Sequence, residues 1–136
     1  PSGVKGTPVE IAEQITPLLF WRKEYRPDSG GAGKTRGGMG QIIEVESRIG
    51  QPFELLAAYD RIDHPARGRK GGQSGAPGFV GLKSGKVYRG KGFLPVPTGE
   101  TLVIHTPGGG GMGDPTQRDP IAVERDIEAG LLTNSP

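Results

Sequence analysis

The alternation of apolar and polar positions divides the chain into short strands separated by glycine-rich connections. From Pro17 to Tyr25, Leu18, Phe20, Arg22 and Glu24 alternate with Leu19, Trp21, Lys23 and Tyr25, and this aromatic and aliphatic content fits a strand. Arg26-Pro27-Asp28-Ser29-Gly30-Gly31 ends it, because proline has no N–H for the ladder and glycine tolerates positive φ. Gly40 to Ile49 predicts a second, half-buried strand, with Ile43, Val45, Ser47 and Ile49 opposing Ile42, Glu44, Glu46 and Arg48. Phe53 to Tyr59 predicts a third, with Phe53, Leu55, Ala57 and Tyr59 on one face. After a long glycine-bearing loop, His64 to Gly78, the segments Phe79 to Leu82 and Lys86 to Tyr88 fit a hairpin across Lys83-Ser84-Gly85. Glu100 to Thr106 reads as the last strand, with Leu102 and Ile104 on one face and Val103 and His105 on the other.

Helical periodicity is confined to the two ends. Thr7 fits an N-cap with Pro8 at the first helical position, although Val9 and Ile11 alternate well enough to leave a strand open. Asp119-Pro120 opens a second helix, in which Val123, Ile127 and Leu131 form a narrow apolar stripe. Glu124, Arg125, Asp126 and Glu128 are expected to face water. The pattern predicts a mainly β fold, an antiparallel sandwich- or barrel-like domain with glycine-rich loops and a C-terminal α-helix. Residues 1–118 form the β-rich domain; residues 119–136 form the helix and a tail packed on or flanking it.

Composition changes this picture in one respect. The 25 glycines and 13 prolines of 136 residues would by themselves suggest low complexity. They cluster between patterned segments, however, and so read as tight loops joining strands. The 17 basic and 15 acidic residues nearly cancel, which argues against a nucleic-acid footprint. Arg67-Gly68-Arg69-Lys70 is the densest basic stretch, read either as a solvated turn or as a contact to phosphate or another polyanion. The absence of cysteine excludes disulfides, thiolate metal sites and a cysteine nucleophile, and suits a reducing compartment. No apolar run approaches the ~20 residues of a membrane span, and no secretory segment opens the chain. The chain begins Pro1-Ser2-Gly3 without methionine, which reads as processing or a fragment. A soluble, cytoplasmic protein with neither nucleic acid nor membrane as partner is expected.

Two glycine motifs imitate nucleotide sites. Gly33-Lys34-Thr35 resembles the end of a phosphate-binding loop, but Asp28 occupies the position of its first glycine and no helix opens after Thr35. Gly108, Gly110 and Gly113 have dinucleotide-loop spacing, yet Asp114-Pro115 follows at once and no helix N-terminus is in place for a pyrophosphate. Asp60, Asp63 and His64 could ligate a metal from one loop, or simply form a polar turn before Pro65. His105 reads as a sheet histidine, and two separated histidines support no Ser-His-acid arrangement. Trp21 and Tyr25 read as sheet or interface packing. The runs Gly30 to Gly40 and Gly108 to Gly113 then remain as shape elements, letting main chain come close to a ligand, another domain or another subunit.

Three stretches together carry a family resemblance. They are Tyr25-Arg26-Pro27-Asp28-Ser29-Gly30-Gly31-Ala32-Gly33 through Arg36-Gly37-Gly38-Met39-Gly40; Gly71-Gly72 with Gly75-Ala76-Pro77-Gly78; and Thr106-Pro107-Gly108-Gly109-Gly110-Gly111-Met112-Gly113-Asp114-Pro115 with Arg118-Asp119-Pro120. In this order they resemble the hydantoinase B/5-oxoprolinase family, with Met112 where an aromatic is common. The resemblance implies the C-terminal end of a longer subunit, in an enzyme that opens a cyclic amide such as a hydantoin or 5-oxoproline at the expense of ATP. Related members carboxylate ketones, and a role as a non-catalytic interaction module is also open. It further implies a hydantoinase A-type subunit or domain carrying the nucleotide site, with ATP and a divalent cation serving the full complex. This chain would hold no cofactor and no metal, would contact the remainder of its own subunit, and would be inactive alone. No catalytic residue is assignable. Asp28, Ser29, Arg36 and Asp114 are the candidates for substrate or interface contacts.

Overall fold

Strand register decides where the glycine segments lie. The computed structural model describes residues 6–133; the opening Pro1-Ser2-Gly3 and the end of the expected tail, residues 134–136, lie outside them. The elements run α1 (Val9–Ile15), β1 (Leu18–Tyr25), β2 (Gln41–Ser47), β3 (Phe53–Ala58), β4 (Phe79–Leu82), β5 (Lys91–Val96), β6 (Leu102–His105), a 3-10 turn (Pro115–Gln117) and α2 (Pro120–Glu128). A four-stranded antiparallel sheet has the order β1-β2-β6-β4, and a separate antiparallel pair joins β3 to β5. The core lies between them. Ala57, Leu94 and Val96 of the pair meet Val80, Leu82, Leu102 and Ile104 of the larger sheet. Full burial of each valine or leucine side chain here stabilises by about 1.5–3 kcal/mol. The fold is the expected antiparallel, sandwich-like β domain with a C-terminal helix.

Alternation holds in β3, where Leu55 and Ala57 turn inward while Glu54, Leu56 and Ala58 stay exposed, and in β6, where Leu102 and Ile104 are buried. It fails in β1. Phe20 pairs with Val45 but Arg22 pairs with Glu44, so Trp21 is an extra residue in a β-bulge. Phe20 and Lys23 therefore share the face of Val45 and Ile43, whereas Arg22 and Glu24 turn to the other side with Glu44. The bulged Trp21 is exposed and donates from Nε1 to Glu46 Oε2 at 2.6 Å.

β5 has no counterpart among the expected strands. Gly92 and Pro95 interrupt its pattern, and a proline is tolerated because the two-stranded sheet consists of edges. The Lys86–Tyr88 arm of the expected hairpin is reduced to a single bridge, Gly81 to Val87. At the N-terminus Pro8, not Thr7, occupies the cap of α1, with no side-chain cap bond.

Tyr25 pairs with Gln41, Ile42 with His105, and His105 with Phe79. The end of β1, the start of β2, the end of β6 and the start of β4 therefore lie at one end of the sheet. All three glycine segments are carried out from that end.

Candidate functional site

At this end the glycine segments pack on one another, main chain against main chain. Gly31 N–H donates to Gly109 O (2.8 Å), Gly109 N–H to Gly38 O (2.8 Å) and Gly37 N–H to Gly31 O (2.9 Å). Gln73 N–H donates to Ala32 O (2.7 Å), Gly111 N–H to Gln73 O (2.9 Å) and Gly113 N–H to Arg69 O (2.9 Å). The central run, 108–113, is clasped between the other two segments. Glycine is required here by closeness of approach. A Cβ on Gly108 would collide with the Ser29 carbonyl, and one on Gly37 with the Gly109 carbonyl. The close approach, expected toward a ligand, another domain or another subunit, is here made between segments of this one chain, about 30 to 80 residues apart in sequence.

The same bonds bear on nucleotide binding. A phosphate-cradling loop presents free N–H groups. Here the amides of Gly108, Gly109, Gly111, Met112 and Gly113 all donate to backbone carbonyls. Lys34 and Thr35 donate to Gly113 O and Met112 O, in a bridge rather than a loop opening a helix. Those N–H groups are taken up within the chain, and among the described residues no group of three or more His, Cys, Asp or Glu side chains is placed to hold a metal.

The four candidate side chains are engaged within the chain. Ser29, 1% exposed, accepts from Gly40 N–H (2.8 Å) and donates to Arg26 O (2.6 Å), fixing the start of the first glycine segment against its end. Asp28 sits in the left-handed region (φ 58°) and accepts from Thr133 N–H (3.0 Å) and Thr133 Oγ1 (2.6 Å). These hydrogen bonds, that of the Thr133 hydroxyl foremost, hold its carboxyl below the usual range. Asp114 caps the 3-10 turn, accepting from Thr116 N–H and Oγ1, and is lowered for the same reason. Arg36 makes a two-pronged ion pair with Asp126, Nε to Oδ2 at 2.9 Å and Nη2 to Oδ1 at 3.1 Å. Arg118 adds a third bond to Oδ2 at 2.6 Å.

Asp126 is thus buried, not solvent-facing as its place outside the apolar stripe suggests. The hydrogen bond from Arg36 is the chief reason that its carboxyl lies below the ordinary range. Ile121 and Ile127 on the same helix are exposed. α2 is held to the glycine layer by charge; of the expected stripe, Val123 is half-buried, Ile127 is exposed, and Leu131, also half-buried, lies beyond the end of the helix at Glu128. Sequence reasoning missed Asp126, Arg118 and Thr133, because their partners are 8 to 105 residues away and no local pattern marks them. Beside Arg36 and Arg118 lies a crevice of ≈ 30 Å³, on the order of a single water molecule.

The remaining candidates separate. His105 stacks at a tilt on Phe79, ring centroids 5.3 Å apart; burial first, then Arg26 and Arg22, lowers its proton affinity. Asp60 is paired with Lys91 at 2.6 Å. Asp60, Asp63 and His64 line one open groove.

The family model described as hydantoinase B/oxoprolinase matches residues 1–115. The chain belongs to the hydantoinase B/oxoprolinase family. Among relatives, 5-oxoprolinase 1 of Arabidopsis thaliana is 40% identical over 79% of this chain and 9% of its own length. The solved ATP-dependent caprolactamase of Pseudomonas jessenii superposes with a TM-score of 0.73 at 27% identity, over 92% of this chain and 23% of that one. Acetone carboxylase shares the fold, with a TM-score of 0.68 at 20% identity over 94% of this chain and 22% of the other. The chain spans less than a quarter of the length of the hydantoinase B/oxoprolinase relatives it matches. Among the described residues no helix is long and apolar enough to cross a membrane.

Proposed function

We propose that this domain is the C-terminal framework of the B-type subunit of an ATP-dependent cyclic amide hydrolase, acting on substrates of the 5-oxoproline or hydantoin type. The match to the family over residues 1–115 carries the reading, and the 5-oxoprolinase and caprolactamase relatives favour a cyclic amide over a ketone. The domain contributes rigidity. Its glycine layer spends its amides internally, and its most chemically suggestive side chains fasten loop to loop and helix to layer. ATP, a divalent cation and the reacting groups belong to other parts of the subunit and to a hydantoinase A-type partner, in the cytoplasm. The faces that meet those parts are the ones left apolar and exposed: Leu56 paired with Phe93 outside the small sheet, and Ile121 with Ile127 on α2.

The test uses the full-length subunit reconstituted with its A-type partner. ADP release should depend on a cyclic amide (5-oxoproline, N-methylhydantoin or caprolactam) and yield the opened acid. ADP release that instead requires a ketone and bicarbonate would move the protein to the carboxylase branch. The chain by itself should release no ADP, and turnover by the purified chain would overturn the assignment of the chemistry to other parts.

A further inference from the structure

The basic stretch Arg67-Gly68-Arg69-Lys70 is not a loose turn. Arg69 N–H donates to Gly111 O and its carbonyl accepts from Gly113 N–H, each at 2.9 Å. A Cβ on Gly68 would collide with the Gly72 carbonyl, so the backbone between the two arginines is wedged into the glycine layer. The exposed side chains of Arg67 and Arg69 therefore project from a fixed platform. Two adjoining grooves, of ≈ 440 and ≈ 420 Å³, share Arg61 and His64; one continues to Arg89 and Lys91, the other to Arg67 and Arg69. Arg61 is itself held in the left-handed region (φ 59°), an uncommon state for a long side chain, while its carbonyl accepts from Gly78 N–H.

Charge sorts these grooves from the rest of the surface. They gather five cations against two carboxylates, Asp60 and Asp63. Lys91 takes Asp60, and Arg61, Arg67, Arg69 and Arg89 enter no ion pair among the described residues. The whole chain carries only +2, so the surplus here exceeds that of the molecule and the remaining surface is slightly acidic. We propose that these joined grooves are a docking surface for an acidic polypeptide segment, whose successive carboxylates are taken by Arg61, Arg67, Arg69 and Arg89. Guanidinium groups match carboxylates two bonds at a time. Spacing over two grooves suits a row of carboxylates rather than a single anion, and a backbone already held in place leaves less freedom to be lost on binding. The inference does not rest on the cyclic amide reading.

The experiment measures fluorescence anisotropy of a labelled octaglutamate peptide with the purified 136-residue chain. A single-stranded oligonucleotide of equal charge is run in parallel. Octaglutamate should bind, and about 0.3 M salt should weaken it by roughly tenfold relative to 0.05 M. The Arg67→Gln/Arg69→Gln double variant should lose affinity by about tenfold, while Lys86→Gln/Arg125→Gln, which removes the same charge elsewhere, should not. Arg61→Asn is the second variant, since asparagine accepts the left-handed backbone and keeps the fold; it should also weaken binding. Absence of binding, or equal weakening by the control pair, overturns the proposal. Tighter, arginine-dependent binding of the oligonucleotide overturns it in favour of a nucleic acid.

Discussion

Two neighbouring glycines give the strongest contrast. A Cβ on Gly37 would lie 2.5 Å from Gly109 C and 3.0 Å from Gly110 C, and closer still to the Gly109 oxygen, whereas one on Gly38 would meet nothing within 4 Å. Neither residue has positive φ, so alanine is conformationally allowed at both and only space separates them. At Gly37→Ala, reaching an ordinary carbon–carbon contact of 3.4 Å requires the layer to open by about 1 Å. An opening of that size breaks the 2.8 Å bonds that Gly109 N–H makes to Gly38 O and Gly31 N–H makes to Gly109 O, and strains the Gly37–Gly31 bond. At about 1 kcal/mol net for each broken bond and part of that for the strained one, the loss is about 2–3 kcal/mol. For a domain of this size that lowers the melting temperature by roughly 10 °C. Gly38→Ala should be neutral or stabilise by up to about 1 kcal/mol, because it restricts the unfolded chain at no steric cost. Thermal melts followed by circular dichroism compare the two variants. Melting of Gly37→Ala within about 2 °C of Gly38→Ala would refute the argument that the segments are locked by direct main-chain contact.

The charge clamp on α2 makes further predictions. Asp126→Ala leaves two guanidinium groups without their carboxylate and should cost about 2–4 kcal/mol by chemical denaturation; Arg36→Ala added to it should cost much less than it does alone, since the partner is already gone. Asp126 has its carboxyl lowered in the folded state, so its contribution is complete above the unfolded carboxylate range and is lost as pH falls through the lower folded value. Stability should therefore drop below about pH 4, and the drop should be smaller in Asp126→Asn. Ser29→Ala strands the Gly40 N–H in a buried position and should cost about 1–3 kcal/mol in the same assay. Asp28→Asn keeps the left-handed backbone but weakens the hold on Thr133, so the Thr133 amide should exchange faster while the sheet amides are unchanged.

Strands with one buried face were legible because burial imposes period two: β3 and β6 appear in the sequence almost as they stand in the fold. β2 was legible from its apolar alternation, although it is half-buried on both faces with only Val45 fully covered. The bulge at Trp21 was not legible, since an inserted residue leaves the string of apolar and polar letters unbroken while exchanging the faces after it. β5 was hidden by Gly92 and Pro95, residues that ordinarily argue against a strand, and its partner lies 33 to 43 positions upstream. The glycine runs announced close approach of main chain but not its object. Which segment meets which follows from the register that brings three loops to one end of a sheet. Asp126 shows the same limit in a side chain. Its polarity and its position off the apolar stripe predict water, and it is two arginines, 8 and 90 residues away, that make it a buried anchor.

Native-state hydrogen exchange at the glycine amides tests the central claim most directly. If the three segments form one locked layer, the amides of Gly31, Gly109, Gly111 and Gly113 exchange as slowly as those of Ile43 and Ile104 in the sheet, and addition of ATP with magnesium leaves them unchanged. Exchange at the rate of an open loop, or protection that arises only when nucleotide is added, would contradict it.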